Sequence, residues 1–186
     1  LPLRGRRAWV LAARGDVDDA IVAMERLLEL DPGYAWGRRQ VCDWLDRQGR
    51  ASAFRQHAEA LVSRDPNVAL HHAYLGDACL AVDDRAAAVA AFGRAVELEP
   101  ADPYALQASV DLALERGALT EARETLERAA HAARRDLVDA LTVQLEVASR
   151  RPEEALSAFD RLLVQGAEQA LFERAMSALE GSSVAR

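Results

Sequence analysis

The chain has 186 residues, 51% of them hydrophobic, 28% charged and only 5% aromatic, which suits one soluble domain of closely packed helices rather than a sheet core. Its net charge of −7 argues against nucleic acid or an anionic membrane as the main partner, and no apolar run is long enough to cross a membrane or act as a signal region. All 23 basic residues are Arg, read as the coding bias of a GC-rich genome, and the clusters Arg4-Gly5-Arg6-Arg7, Arg134-Arg135 and Arg150-Arg151 read as solvated surface near helix ends.

In chain order, the first stretch, about 1–34, turns at Gly15 and closes on Asp31-Pro32. Ala20 is small enough for two helices to approach there, with Met24 and Leu27 beside it. The second, about 35–68, carries Trp36, Val41, Cys42 and Leu45 at helical spacing, turns at Gly49 and closes on Asp65-Pro66. The third, about 69–102, holds His72, Leu75-Gly76, Cys79, Ala88, Phe92 and Ala95 and closes on Glu99-Pro100. The closing prolines Pro32, Pro66 and Pro100 are evenly spaced, and Gly15, Gly49, Asp83 and Gly117 repeat the same interval at the inner turn. One Asp-Pro turn means little; two interleaved series in one register define a repeat. Leu75-Gly76, Ala88-x3-Phe92, Ala95 and Pro100 in this spacing resemble the tetratricopeptide repeat, a helix–turn–helix unit of about 34 residues. His72 stands where that unit usually has Trp, and Cys79 where it has Tyr.

The resemblance implies an all-α fold. It would be a right-handed α-α superhelix, or solenoid, of about five units (1–34, 35–68, 69–102, 103–136 and 137–169) with a capping helix over about 167–180, in a single domain spanning 1–186. In unit 1, Arg4 and Arg7 take the usual Trp and Leu places, as in an N-terminal cap or a cut through a longer array. The chain opens on Leu1 rather than Met and is expected to be a bacterial-type repeat domain from a longer protein. In unit 2, Phe54 holds the small position and Ala58 the large one, an exchange of volume expected to tilt the helix pair. Trp44 lies beside the core stripe, placed to pack against a neighbouring unit. Unit 4 keeps Gly117, Ala122, Leu126 and Ala129, opens a helix on Pro103 and has Arg134 in place of the closing proline. Unit 5 is degenerate: Ala155-x3-Phe159 comes one residue early, which predicts a shortened turn around Ser149–Pro152, and apolar residues on several sides of 137–148 leave its buried face open. Leu171, Phe172, Ala175, Met176 and Leu179 form the apolar side of the cap; Gly181 is expected to end it, with Ser182–Arg186 frayed.

In the family, certain first-helix positions point to a concave groove. Carried onto this sequence they are Arg6 and Trp9; Trp36, Arg39, Gln40, Asp43 and Arg47; Tyr74 and Asp77; Tyr104, Gln107, Asp111 and Glu115. The candidate ligand-binding set is Trp9, Trp36, Arg39, Asp43, Tyr74, Asp77, Tyr104, Gln107 and Asp111. Asp43, Asp77 and Asp111 recur at the repeat interval, an acidic ladder beside flat rings that suits an extended peptide carrying Arg or Lys. In the family the same position also serves to bond neighbouring helices, and that alternative stands beside the first. A chaperone-tail clamp fits poorly: Arg39 has a matching place, but Asp43 replaces the clamp Asn and the chain has no Lys.

No Ser/His/Asp set, Gly-rich phosphate loop or His-x3-His pair occurs, and the carboxylates are expected at turns, caps and outward faces. His71-His72 lacks a third ligand in phase and reads as helix packing, His131 as surface, and Cys42 and Cys79 as buried thiols rather than a disulfide or metal site. The expected function is a non-enzymatic scaffold, without cofactor or metal, that binds a peptide segment or partner domain in the groove. The alternative is a structural or docking arm of a larger enzyme or secretion protein, with self-association through open repeat ends. Two unpaired cysteines and no visible signal make cytoplasmic residence the default.

Overall fold

Ala-, Leu-, Arg- and Glu-rich runs between fixed turns favour helix, and the computed structural model, which describes residues 2–181, contains eleven helices and no strand among them. They are α1 (Pro2–Ala13), α2 (Val17–Leu30), α3 (Ala35–Arg47), α4 (Ala51–Arg64), α5 (Ala69–Ala81), α6 (Arg85–Leu98), α7 (Pro103–Glu115), α8 (Leu119–Ala129), α9 (Arg135–Ala148), α10 (Pro152–Gln165) and α11 (Gln169–Gly181). The starts of α3, α5 and α7 keep the repeat interval, as do those of α2, α4, α6 and α8. The chain forms two units, divided within α6 between Ala95 and Val96.

One turn is built five times. Gly15, Gly49, Asp83, Gly117 and Arg150 all lie in the left-handed region, with φ of 95°, 67°, 58°, 69° and 57°. Each donates its N–H to the carbonyl three residues back, and the next residue donates to the carbonyl five back: Asp16 to Leu11 at 3.0 Å, Arg50 to Leu45 at 2.9 Å, Asp84 to Cys79 at 2.8 Å, Ala118 to Ala113 at 2.8 Å and Arg151 to Glu146 at 2.9 Å. This left-handed C-terminal cap satisfies carbonyls that the helix leaves open and sends the chain back along itself. Arg150 follows Gly117 one residue short of the repeat interval, yet α10 starts two residues after it, as the second helix does after every other inner turn. The expected shortening at Ser149–Pro152 is therefore corrected: that turn has full length. The shortening lies upstream, before α9: α8 has 11 residues where α2, α4 and α6 have 14, and Arg134 stands in for the closing proline in the link that follows it.

In the first unit Ile21, Met24, Val41, Leu45 and Leu61 are fully buried, and Ala8 and Ala20 let α1 and α2 approach. Phe54 and Ala58 are both buried, so the exchange of volume between them stays inside the core. Trp44 belongs to that core too. Gly76 of α5 lies against the Phe92 ring so closely that a Cβ there would stand 2.6 Å from it. Tyr34 likewise covers Gly37, where a Cβ would meet the ring at 2.5 Å.

In the second unit α9 is the central element, touching α7, α8, α10 and α11. This answers the question the sequence leaves open: Leu137, Ala140, Leu141, Val143 and Leu145 are buried on several faces because neighbours enclose the helix. Helix α7 opens on Pro103 with Asp102 as its cap, whose carboxylate accepts from the Ala105 N–H at 2.7 Å. Helix α11 buries Leu171, Ala175 and Leu179, and its Phe172 ring lies 5.3 Å from Phe159. The expectation for Ser182–Arg186 falls outside the described residues.

Candidate functional site

Within the first unit the first helices α1, α3 and α5 are neighbours and bring predicted residues onto one face. Asp43 accepts a hydrogen bond from the Tyr74 hydroxyl at 2.8 Å and another from Gln40 Nε2 at 3.2 Å. Burial and the Asp43 carboxylate push the Tyr74 phenol well above its ordinary range, so Tyr74 remains a donor at any physiological pH. Asp77 is half-buried and has interactions of its own. Arg39 and Arg47 flank Asp43 one turn on either side, at helical spacing. Trp9 is 50% exposed and Trp36 36%, the latter 5.7 Å from the Tyr34 ring. Between α1 and α3 lies a cleft of about 290 Å³, lined by Trp9, Ala12, Ala13, Val17, Trp44, Arg47 and Gln48.

In the second unit Tyr104 stands on α7, 55% exposed, with Gln107 half-buried one turn along. Asp111 accepts from Arg174 Nη2 of α11, and the same nitrogen reaches Gln144 Oε1 of α9 at 3.0 Å. Burial raises the Asp111 pKa even though Arg174 pulls the other way. Gln144 follows Asp111 by one residue less than the repeat interval and so occupies the aspartate column of unit 5 in the shifted register. Sequence reasoning missed both Gln144 and Arg174. Counting back from Arg150 instead of forward from Asp111 finds Gln144; nothing in the sequence marks Arg174. Asp43 and Asp111 are thus each held by donors of their own chain.

The placement of the carboxylates needs correction elsewhere. Asp139 and Glu146 of α9 are 5% and 4% exposed, not on turns or outward faces. Arg161 Nε and Gln165 Nε2 donate to Asp139 at 2.7 and 2.8 Å, and Arg123 grips Glu146 through both terminal nitrogens at 2.6 and 3.1 Å. Each buried charge has its own paired donors, as burial requires. His71 and His72 are buried, with His72 Nε2 2.8 Å from the Pro66 carbonyl. Cys42 and Cys79 are buried free thiols, and burial pushes the Cys42 thiol up to about 12, far from the thiolate that reactivity requires. Among the described residues no group of three or more His, Cys, Asp or Glu could hold a metal ion, and no helix is long and apolar enough to cross a membrane.

Helix pairs joined by one repeated cap, with aromatic groups presented on their first helices, define an interaction scaffold of the helical-repeat class. The profile of the tetratricopeptide repeat family matches residues 75–136 and 141–186, more than half of the chain. The chain belongs to that family. No curated protein sequence matches it. Among solved structures it is similar to MamA, at 19% identity over 94% of this chain and 95% of that one, with a TM-score of 0.69. It is also similar to a thermophilic tetratricopeptide repeat protein of Thermus thermophilus, at 19% identity over 96% and 98% of the two chains and a TM-score of 0.63. A third is YrrB, described as having an unusual peptide-binding site, at 17% identity over 91% and 88% and a TM-score of 0.67. At such identities the likeness shows the fold, an all-α solenoid of helix pairs.

Proposed function

We propose that this chain binds an extended segment of a partner protein along the face of its first helices, without catalysing a reaction, and that it works in the cytoplasm. One observation carries the reading. Among the described residues the exposed aromatic side chains are Trp9, Trp36 and Tyr104, and all three stand on first helices at places the repeat register assigns to the groove. Exposed Trp and Tyr supply large contact area at small entropic cost and recur at binding hot spots. The engagement of Asp43 and Asp111 by Tyr74 and Arg174 favours a helix-bonding role for those two, so the rings rather than the acidic ladder carry the proposal. A peptide display library of random dodecamers tests it. Binders enriched on the wild-type chain should be lost on a Trp9→Ala/Trp36→Ala/Tyr104→Ala variant and kept on a Val22→Ala/Leu163→Ala variant, which trims exposed apolar groups of second helices. The reverse pattern overturns the reading.

A second reading, a docking or self-association arm, draws support from α10. Its Leu156, Leu163 and Val164 are exposed, the last at 89%, and an apolar stripe of this kind marks an interaction surface. Sedimentation that shifts with protein concentration in the wild type but not in a Leu163→Ser/Val164→Ser variant would favour it.

A further inference from the structure

On the first-helix face of the first unit, Arg6, Arg39 and Arg47 stand against Asp43 and Asp46 of α3 and Asp77 of α5, whereas Arg4 and Arg7 lie toward α2 and Arg38 reaches His57 and the Pro32 carbonyl. Of these acids, Asp43 is already turned toward the Tyr74 and Gln40 donors, and Asp77 has interactions of its own. Arg6, Arg39 and Arg47 have no hydrogen bond or ion pair among the described residues. Among the described residues, Arg55, Arg123 and Arg161 of second helices are each paired with a carboxylate, although Arg26 is not. Unpaired guanidinium groups clustered on a chain of net charge −7 make a local positive field that suits carboxylates.

The α1–α3 cleft opens beside Arg47, with Asp16 and Asp18 on either side of its Val17. Trp44 is nearly buried and Trp9 half-exposed, and with Ala12, Ala13 and Val17 they make an apolar lining, with Arg47 and Gln48 on the polar side. Gln48 is already committed to Asp18, which Arg50 also reaches, at 3.4 Å in both cases; Arg47 is not. A volume of about 290 Å³ lies at the lower end of the range for whole ligands, about 300–1,000 Å³, and suits one bulky side chain.

Resting on the first-helix reading above, we propose that the Trp9–Trp44 cleft seats one bulky apolar side chain of an acidic peptide segment, whose flanking carboxylates pair with Arg47, Arg39 and Arg6. This reverses the charge expected from the acidic ladder. The cleft anchors and the arginines orient.

Three synthetic nonapeptides test this against the wild-type chain: a central Phe flanked by Asp and Glu, the same peptide with Ala for Phe, and the same peptide with Arg for the acids. The readout is the indole N–H resonances of Trp9, Trp36 and Trp44, assigned by substitution, together with affinity. The acidic Phe peptide should bind, move the Trp9 and Trp44 signals, and weaken as salt is raised. Arg47→Gln should weaken it about 2–5-fold and Trp9→Ala about tenfold or more, while replacing Phe by Ala should cost a similar factor. Arg47 is exposed, so its variant keeps the fold, which circular dichroism verifies. Equal or tighter binding of the Arg peptide, no effect of Arg47→Gln, or no binding of the acidic peptide overturns the proposal. So does movement of the Trp9 and Trp44 signals with protein concentration alone, which would put a second copy of the chain in the cleft. If library binders depend on Trp36 and Tyr104 while the cleft peptide fails, this inference falls and the broader function stands.

Discussion

Arg150→Gly should make the protein more stable, although glycine in or beside a helix normally does the reverse. Arg150 has φ of 57° at the inner turn between α9 and α10, where three of the other four copies of the turn use glycine. Holding a side chain other than glycine in the left-handed region costs about 1–2 kcal/mol. Glycine removes that strain but gives up about 0.5–1 kcal/mol through its greater freedom in the unfolded chain. The side chain is exposed and makes no hydrogen bond or ion pair among the described residues, so nothing else is lost. The net gain is about 0.5–1 kcal/mol, or roughly 1–4 °C in the midpoint for a chain of this size. Thermal circular dichroism, with urea titration to check that the m-value is unchanged, measures it. Asp83→Gly is the internal comparison: Asp tolerates this conformation better than Arg, so its gain should be smaller. A lower midpoint for Arg150→Gly, or a larger gain at Asp83 than at Arg150, would refute the assignment of Arg150 to the strained cap.

The repeat register was legible in the sequence because two kinds of residue mark it. Proline ends a helix by lacking an N–H, and glycine tolerates the left-handed turn; with closing prolines through Pro100 and Asp83 the one substitute among the first four inner turns, helix starts follow the repeat interval through Leu119. Legibility fails where other residues do both jobs at once. Arg134 replaces the closing proline and Arg150 the turn glycine, so the single-residue shift in unit 5 is visible in Ala155-x3-Phe159 but its place is not. The candidate site divides the same way. Family positions locate Trp9, Trp36 and Tyr104 on exposed first-helix surface, because exposure there depends on helical phase alone. Which donor faces Asp43 or Asp111 depends on tertiary contact: Arg174 lies 63 residues beyond its partner, and no local pattern predicts that distance. Asp139 and Glu146 were misplaced for a related reason. A carboxylate reads as surface until the structure supplies the Arg161 and Arg123 that allow its burial.

Three further outcomes follow from the packing. Gly76→Ala gains about 1 kcal/mol of helix propensity but drives a methyl into the Phe92 ring, 2.6 Å from where its Cβ must sit. Overpacking costs about 1–3 kcal/mol, so the urea midpoint should fall, and adding Phe92→Leu should recover part of the loss. Burial lowers the pKa of His71, and burial followed by nearby Arg38 lowers that of His57, so the unfolded chain takes up protons first as pH drops below about 6.5. Stability should decline from there toward the lower folded-state values, and His71→Gln should flatten the decline in urea titrations between pH 7.5 and 5. The last outcome locates the missing residue. One glycine inserted between Ala133 and Arg134 falls in the link after the shortened α8 and preserves the Arg134–Val138 bond that opens α9; it should cost no more than about 0.5 kcal/mol. The same insertion between Ser149 and Arg150 moves Arg150 off the cap and breaks its bond to Val147 and that of Arg151 to Glu146, about 1 kcal/mol each. Equal losses at the two sites would mean that the inner turn is not the fixed point of the fifth repeat, and the register drawn through Gln144 would have to be abandoned.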